Sequence, residues 1–349
     1  MSGALGGAGL QLFEPRNAAA ALVALLAIYT AGFLCFRPAA ITIADEGTYV
    51  RQAQLIAAGT TGVEIVDPFT GAPTELRPIN RYPLGTALLL LPFVSLGGRE
   101  AASLLSLLCT VAGVALTARW LHEQGRSPLF AVLALAYPAT IVMGRVAMSE
   151  APSLACVSLG LWLYGRGLGR GGWPWLGAGF AAGFSFALRE SNVLLFAPLF
   201  AGSLLRRDPG VPALVVGGLL GTSVRFLASW LFFGDPFFVK PPDAFSPGAI
   251  LSNAPTYLFC LLVLVPGGLV AAFAYRGPRR PEIVATVVLF VLFYLSYTYS
   301  AGPSGWAKRL VLGPRYFIPL LPVLSLCAAE VWPRLAARFR ARAGAYSLM

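Results

Sequence analysis

Adjacent carboxylates, Asp45 and Glu46, open the stretch ITIADEGTYVRQAQLIAAG at 41–59, directly after the first long apolar run. A third acid, Glu150, begins a later apolar run, just after Arg145-Val-Ala-Met-Ser. Arg81, Arg145, Arg189, Lys308, Arg309 and Arg315 stand near the edges of apolar runs, and Arg225 lies within one. A carboxylate facing an attacking hydroxyl serves as a general base. Guanidinium and ammonium groups stabilise an anionic leaving group, and the guanidinium fork suits phosphate in particular. Together these residue types fit transfer to a hydroxyl with departure of a phosphate: Asp45 as base, Glu46 and Glu150 as a second acidic site, the seven cations as phosphate ligands. Tyr49, Tyr82 and Tyr316 sit beside these charges and are candidate substrate contacts.

Each residue also has a plainer use. Asp45 suits the N-cap of the helix that follows it, accepting from the N–H of Gly47 or Thr48. Glu150, with Ser149 as cap, is well placed for a helix dipole. Arg145 and Arg189 end apolar helices and reach the headgroups by snorkelling. Arg225 is different, because an arginine inside an apolar span is costly unless paired or hydrated.

The elements that must position these groups are membrane helices. The 349 residues are 57% hydrophobic and only 12% charged, with a mean hydropathy of +0.72; a soluble domain carries about 25% charge. The net charge of +11 comes almost wholly from arginine, with Lys240 and Lys308 the two lysines. No basic run interleaved with aromatics lies outside the apolar segments, which argues against nucleic acid as a partner. Cys35, Cys109, Cys156, Cys260 and Cys327 all fall in apolar segments without metal or disulfide spacing, and His122 is the single histidine. No metal site is expected from them.

A spanning helix needs about 20 apolar residues. Ten segments qualify as spans, 17–36, 100–118, 128–144, 149–165, 174–188, 192–205, 211–233, 254–275, 282–300 and 316–333, with a shorter eleventh at 84–97. The fold class expected is an all-α polytopic membrane protein of about ten spans. Its long first outer loop, 37–82, carries an amphipathic helix with Tyr49, Ala53 and Ile56 on one face and Glu46, Arg51 and Gln54 elsewhere. VEIVDPFTGAPTEL within that loop fits a hairpin turning at Asp67-Pro68. The positive-inside rule groups Arg119/Arg126, Arg166/Arg170, Arg206/Arg207, Arg276/Arg279/Arg280 and Arg334 to Arg342 with the N-terminus in the cytoplasm. Asp45, Glu150 and Arg189 then share the outer face, provided that 84–97 does not cross. The chain divides into a cytoplasmic tail at 1–16, a catalytic module at 17–233, further spans at 234–333 and a basic cytoplasmic tail at 334–349.

Five stretches in order, IADEGTYVRQA, RYPLG, GRVAMSE, ALRESN and GPRYFIPLLP, resemble the GT-C superfamily of membrane glycosyltransferases. The nearest branch is that of the protein O-mannosyltransferases and aminoarabinose transferases. The resemblance covers most of 17–325 and implies a hexosyl- or pentosyltransferase in a prokaryotic plasma membrane. It implies a donor sugar on polyprenyl phosphate or diphosphate and an outward-facing active site. Asp45 takes the position of the family's catalytic base, and Glu150 that of the second acid. The acceptor hydroxyl would belong to a lipid, a glycan or a protein. No cofactor is fixed by the match; a divalent metal, which some relatives bind, stays open. RYPLG stands where many relatives carry a charged residue before Pro-Pro. The large C-terminal outer domain of some relatives has no counterpart here, so acceptor choice does not carry over.

Two other classes compete with an enzyme. A transporter or lipid-linked saccharide flippase predicts polar sites at the membrane midplane and two related halves; the sequence shows no internal repeat, and its charges gather at one surface. A non-catalytic subunit predicts a degenerate acidic site, whereas Asp45-Glu46 is intact.

Overall fold

The computed structural model describes residues 15–38, 43–60, 62–66, 73–78, 82–237, 245–298 and 310–346. Helix α1 (Pro15–Cys35) leads to the amphipathic α2 (Ala44–Ala57). A hairpin of β1 (Gly62–Val66) and β2 (Pro73–Pro78) follows, antiparallel, with Gly62 opposite Pro78. This matches the strand pattern of the sequence; the turn itself lies outside the described residues. Then come α3 (Gly85–Glu123), a 3₁₀ turn Pro128–Ala131 with α4 (Val132–Ala136) and α5 (Pro138–Met143), α6 (Glu150–Arg170) and α7 (Trp173–Leu188). The chain continues through α8 (Val193–Leu205), α9 (Val211–Phe233), α10 (Pro247–Phe259), α11 (Gly268–Ala274) and α12 (Arg280–Leu295). A buried 3₁₀ stretch, Pro314–Leu320, enters the last helix, α13 (Leu321–Tyr346).

The chain is a polytopic helical membrane protein. Among the described residues, five helical segments are both long and apolar enough to cross a bilayer: 17–35, 85–123, 211–233, 247–264 and 314–339. Other apolar runs form shorter or interrupted helices, for local reasons. Pro138 drives Tyr137 into extended backbone (φ −64°, ψ 122°) and splits 128–144, as the residue before proline avoids the helical region. Pro266 and Gly267, the latter at φ 63°, separate a π-turn at Cys260–Leu264 from α11. The expected basic tail is helical as far as Tyr346.

Helix α3 breaks at Gly97 and Gly98, the latter at φ 61° and ψ −163°. The piece before the break, Gly85 to Leu96, is about 18 Å long at 1.5 Å per residue, short of the ~30 Å bilayer core. Its ends also lie on one side. A Cβ on Gly85 would stand 2.4 Å from the Ala187 carbonyl oxygen, at the C-terminal end of α7. Just past the break, Arg37 donates to the Glu100 carbonyl and to Ser103 Oγ (3.4 Å), beside the end of α1. Arg145, five residues before Glu150, donates to the Phe36 carbonyl at that same end. The stretch therefore leaves and rejoins the same end of the bundle.

Helices α7 and α9 run parallel and touch backbone to backbone through small residues. A Cβ on Gly179 would lie 2.1 Å from the Leu214 carbonyl, one on Gly183 2.3 Å from that of Gly218, and one on Gly217 2.0 Å from that of Leu176. Each helix carries a G-x-x-x-G spacing, Gly179/Gly183 and Gly217/Gly221. This is how membrane helices approach closely where lipid offers no hydrophobic drive.

Charges sort to the two ends of the bundle. At the end far from Asp45, Glu123 pairs with Arg119 (2.8 Å) and Arg166 (3.5 Å), Asp208 with Arg279 (2.5 Å), Glu282 with Arg206, and Glu330 with Arg334 (2.9 Å) and Arg126 (3.4 Å). These are the acids and arginines that the charge pattern groups on one side.

Candidate active site

The N-cap of α2 is Ile43, without a side-chain cap bond, and Asp45 lies inside the first turn. This overturns the cap assignment of Asp45. Its carboxylate faces two donors from distant parts of the chain. Oδ1 accepts from the Tyr82 hydroxyl at 2.8 Å; Oδ2 accepts from Arg315 Nη2 at 3.0 Å. Arg315 Nε lies 3.3 Å from Glu150 Oε1, and Arg189 Nη2 donates to that same oxygen at 3.0 Å. One guanidinium thus bridges Asp45 and Glu150, and a second braces Glu150. Tyr316 lies against both cations, with ring-centroid distances of 4.9 Å to Arg189 and 5.2 Å to Arg315. Its ring stacks on Tyr294 at 4.7 Å.

Burial divides the three acids into roles. The Asp45 side chain keeps 27% of its surface open while Glu150 keeps none, and Glu46 is 5% exposed. Asp45 is therefore the carboxylate of the three that an incoming molecule reaches. Glu150 is an internal counter-charge for two arginines rather than an exposed helix-dipole partner. Its helix has Ser149 in the cap position but no side-chain cap bond. Glu46 was expected off the buried face of its helix. It instead accepts the Ala147 N–H at 2.9 Å, while Ser106 Oγ donates to the Val146 carbonyl at 2.6 Å. Those two bonds pin the loop that delivers Glu150.

Tyr82 is held twice. Its carbonyl accepts from Gln52 Nε2 at 3.2 Å, and its ring stacks on the buried Tyr49 at 4.8 Å. The close contact of Gly85 with α7 fixes the turn that aims it. Burial first, and then the hydrogen bond to Asp45, push the Tyr82 phenol well above its ordinary pKa, so it stays a proton donor at any physiological pH. For Arg189, burial works against the charge; Glu150, with smaller contributions from Tyr294, Tyr49 and Tyr316, outweighs it, leaving the guanidinium above its ordinary range. The turn that carries Arg189 is fastened by Asn192, whose Nδ2 donates to Ser153 Oγ (2.9 Å) and the Ser185 carbonyl (3.0 Å).

Arg225 is buried and paired with Glu190, with its guanidinium 5.2 Å from the Phe186 ring centroid. The two meet beside Tyr82, in a small cleft that Leu84 and Phe233 also line. Glu190 escaped the sequence reading, since the partner of Arg225 is visible only once α7 and α9 are side by side. Arg145 stands apart: its described contact is the Phe36 carbonyl, not the Asp45 cluster. Arg81, Lys308 and Arg309 lie outside the described residues. No three His, Cys, Asp or Glu side chains converge into a metal-binding group among the described residues.

Comparison with known proteins agrees with this architecture. Residues 82–223 match the family model described as dolichyl-phosphate-mannose-protein mannosyltransferase. No curated protein matches the chain by sequence. Two crystal structures of ArnT from Cupriavidus metallidurans superpose on it at 17% identity. The complex with undecaprenyl phosphate gives a TM-score of 0.64 over 89% of this chain and 59% of that one. The apo state gives 0.65 over 93% and 62%. The chain thus spans about three fifths of the length of the ArnT chains it matches. Its fold is like that of the ArnT chains, in keeping with the GT-C resemblance of its five motifs.

Proposed function

We propose that the protein is an inverting glycosyltransferase. It moves a sugar from a polyprenyl-phosphate-linked donor to a hydroxyl acceptor at the outer face of the cell membrane. The observation that carries this reading is that Asp45, Tyr82, Glu150, Arg189 and Arg315, from five separate segments, form one connected cluster whose partly open carboxylate is Asp45. The match of 82–223 to a mannosyltransferase family and the undecaprenyl phosphate in the ArnT complex support the same class of donor.

In this mechanism Asp45 takes the proton of the acceptor hydroxyl. A carboxylate offers about four lone-pair sites, and Tyr82 and Arg315 engage one on each oxygen. The remaining lone pairs face the open side. The acceptor oxygen attacks the anomeric carbon, the bond from that carbon to the phosphate oxygen breaks, and the polyprenyl phosphate departs with the electron pair. Arg315 and Arg189, preorganised by Glu150, meet the charge developing on the phosphate. Tyr82 and Gln52 hold the loop against α2, so the base and the cations keep their spacing.

Mass spectrometry of lipid co-purifying with the protein tests the donor class. The expected species is a polyprenyl phosphate or its glycosylated form, reduced in an Arg189→Lys variant because ammonium lacks the planar fork. If no polyprenyl lipid co-purifies and none is consumed in proteoliposomes, the reading is wrong.

A further inference from the structure

The far end of the bundle carries a cationic feature that the transfer chemistry does not use. A cavity of about 190 Å³ opens between the end of α11, the start of α12 and the middle of α13. Arg276, Arg280, Arg334 and Arg338 line it, with Phe273 and Leu335 on the apolar side. At roughly 30 Å³ per water, it has room for a phosphate group.

The four arginines are not equivalent. Arg334 is tied down, with Nη2 on Glu330 at 2.9 Å and on the Ala274 carbonyl at 3.2 Å. Glu330 is already engaged by Arg334, by Arg126 at 3.4 Å and by the Arg276 backbone N–H at 3.0 Å. The side chains of Arg276, Arg280 and Arg338 are exposed and form no hydrogen bond or ion pair with the described residues. Glu282, the nearest acid on α12, is engaged by Arg206 and Arg279. Three guanidiniums therefore point at one cavity without an internal counter-charge.

The surroundings say what kind of anion fits. Phe273 and Leu335 are exposed at the cavity, Trp332 and Phe339 are exposed on the same stretch of α13, and Trp332 anchors itself by donating to the Pro266 carbonyl at 3.2 Å. Exposed aromatics beside arginines at the end of a spanning helix mark the depth of the headgroups. Basic pockets between membrane helices at that depth take anionic lipid headgroups, and the fork matches two phosphate oxygens at once.

We propose that this cavity binds the phosphate of an anionic glycerophospholipid, its acyl chains lying along Phe273 and Phe339. The site is on the opposite end from Asp45 and independent of the chemistry proposed there.

The test uses the full-length protein in mixed micelles of phosphatidylglycerol and phosphatidylcholine, read by native mass spectrometry. Wild type retains phosphatidylglycerol selectively. The triple variant Arg276→Gln, Arg280→Gln, Arg338→Gln loses that selectivity by about 100-fold, roughly fivefold per arginine near an anionic surface. A control triple, Arg119→Gln, Arg170→Gln, Arg207→Gln, removes the same charge from other helix ends and keeps it. Equal loss in the control, or unchanged retention in the first triple, overturns the site. Excess inorganic phosphate leaves the lipid bound; if it displaces the lipid fully, the cavity is a free-anion site and the lipid assignment is wrong.

Discussion

Asp45→Asn separates chemistry from stability at the site. Asparagine keeps the shape and one carbonyl oxygen, which turns to Tyr82 or to Arg315 but not to both. One charge-assisted hydrogen bond is lost. Such a bond is worth about 1.5–3 kcal/mol when desolvated. Asp45 keeps 27% of its side-chain surface in contact with solvent, and Arg315 retains Glu150, so screening leaves about 1 kcal/mol. For a chain this long that is a melting shift of no more than about 2 °C. The amide accepts no proton, so transfer should fall about 10²–10⁴-fold. Glu150→Gln should behave in the opposite proportion. It leaves Arg189 without its acid and Arg315 with Asp45 alone, and breaking a buried pair costs about 3–5 kcal/mol, a melting shift of no more than roughly 6–10 °C. The assay is transfer of labelled sugar from a polyprenyl phosphate donor in proteoliposomes, with melting followed on the same preparations. A stable Asp45→Asn protein with full transfer activity would refute the assignment of the base. A Glu150→Gln protein that melts with wild type would refute the buried counter-charge.

Three further outcomes are expected. Tyr82→Phe removes the donor to Asp45 Oδ1 but keeps the stack on Tyr49; transfer should drop about tenfold, the equivalent of one hydrogen bond, and an unchanged kcat would remove Tyr82 from the mechanism. Gly179→Leu or Gly217→Leu forces a side chain onto a backbone carbonyl about 2 Å from the new Cβ, so thermal stability should fall well below that of an exposed substitution such as Leu219→Ala; equal melting would dispose of the close α7–α9 contact. Cysteines at Glu190 and Asp235 should label from outside intact cells, and cysteines at Arg170 and Arg276 only after permeabilisation. Labelling of the second pair alone would invert the orientation.

Much of this was legible in the sequence, for identifiable reasons. Apolar length located the helices, alternation and turn residues located the hairpin, and the order of acids and arginines pointed to the candidate site. The departures come from partners that linear spacing does not reveal. Asp45 had the composition of a cap, yet tertiary donors claim it, because Arg315 arrives from the 3₁₀ stretch 270 positions downstream. Periodicity set Glu46 off the Tyr49 face of α2, but the Ala147 N–H engages its carboxylate in a buried bond. Arg225 advertised a need for a counter-ion; the identity of Glu190 depended on how two helices pack. The interruptions at Pro138 and Pro266 were also present as prolines inside apolar runs, where hydropathy alone hides a break in the helix.

The glycine seam between α7 and α9 bears on how the site could open. Arg189 follows the last residue of α7, and Arg225 rides one turn above Gly221 on α9. Two helices whose main chains touch have no side-chain layer to shear, so they are held as one unit, and Arg189 and Arg225 are set at a fixed separation. In the proposed mechanism, admission of a lipid-linked donor falls to the elements outside this pair. There Tyr82 sits on a turn after a hairpin and Arg315 sits in a 3₁₀ stretch, and both hold Asp45 by one bond each. Tyr82 and Arg315, which hold Asp45, thus belong to neither helix of the seam.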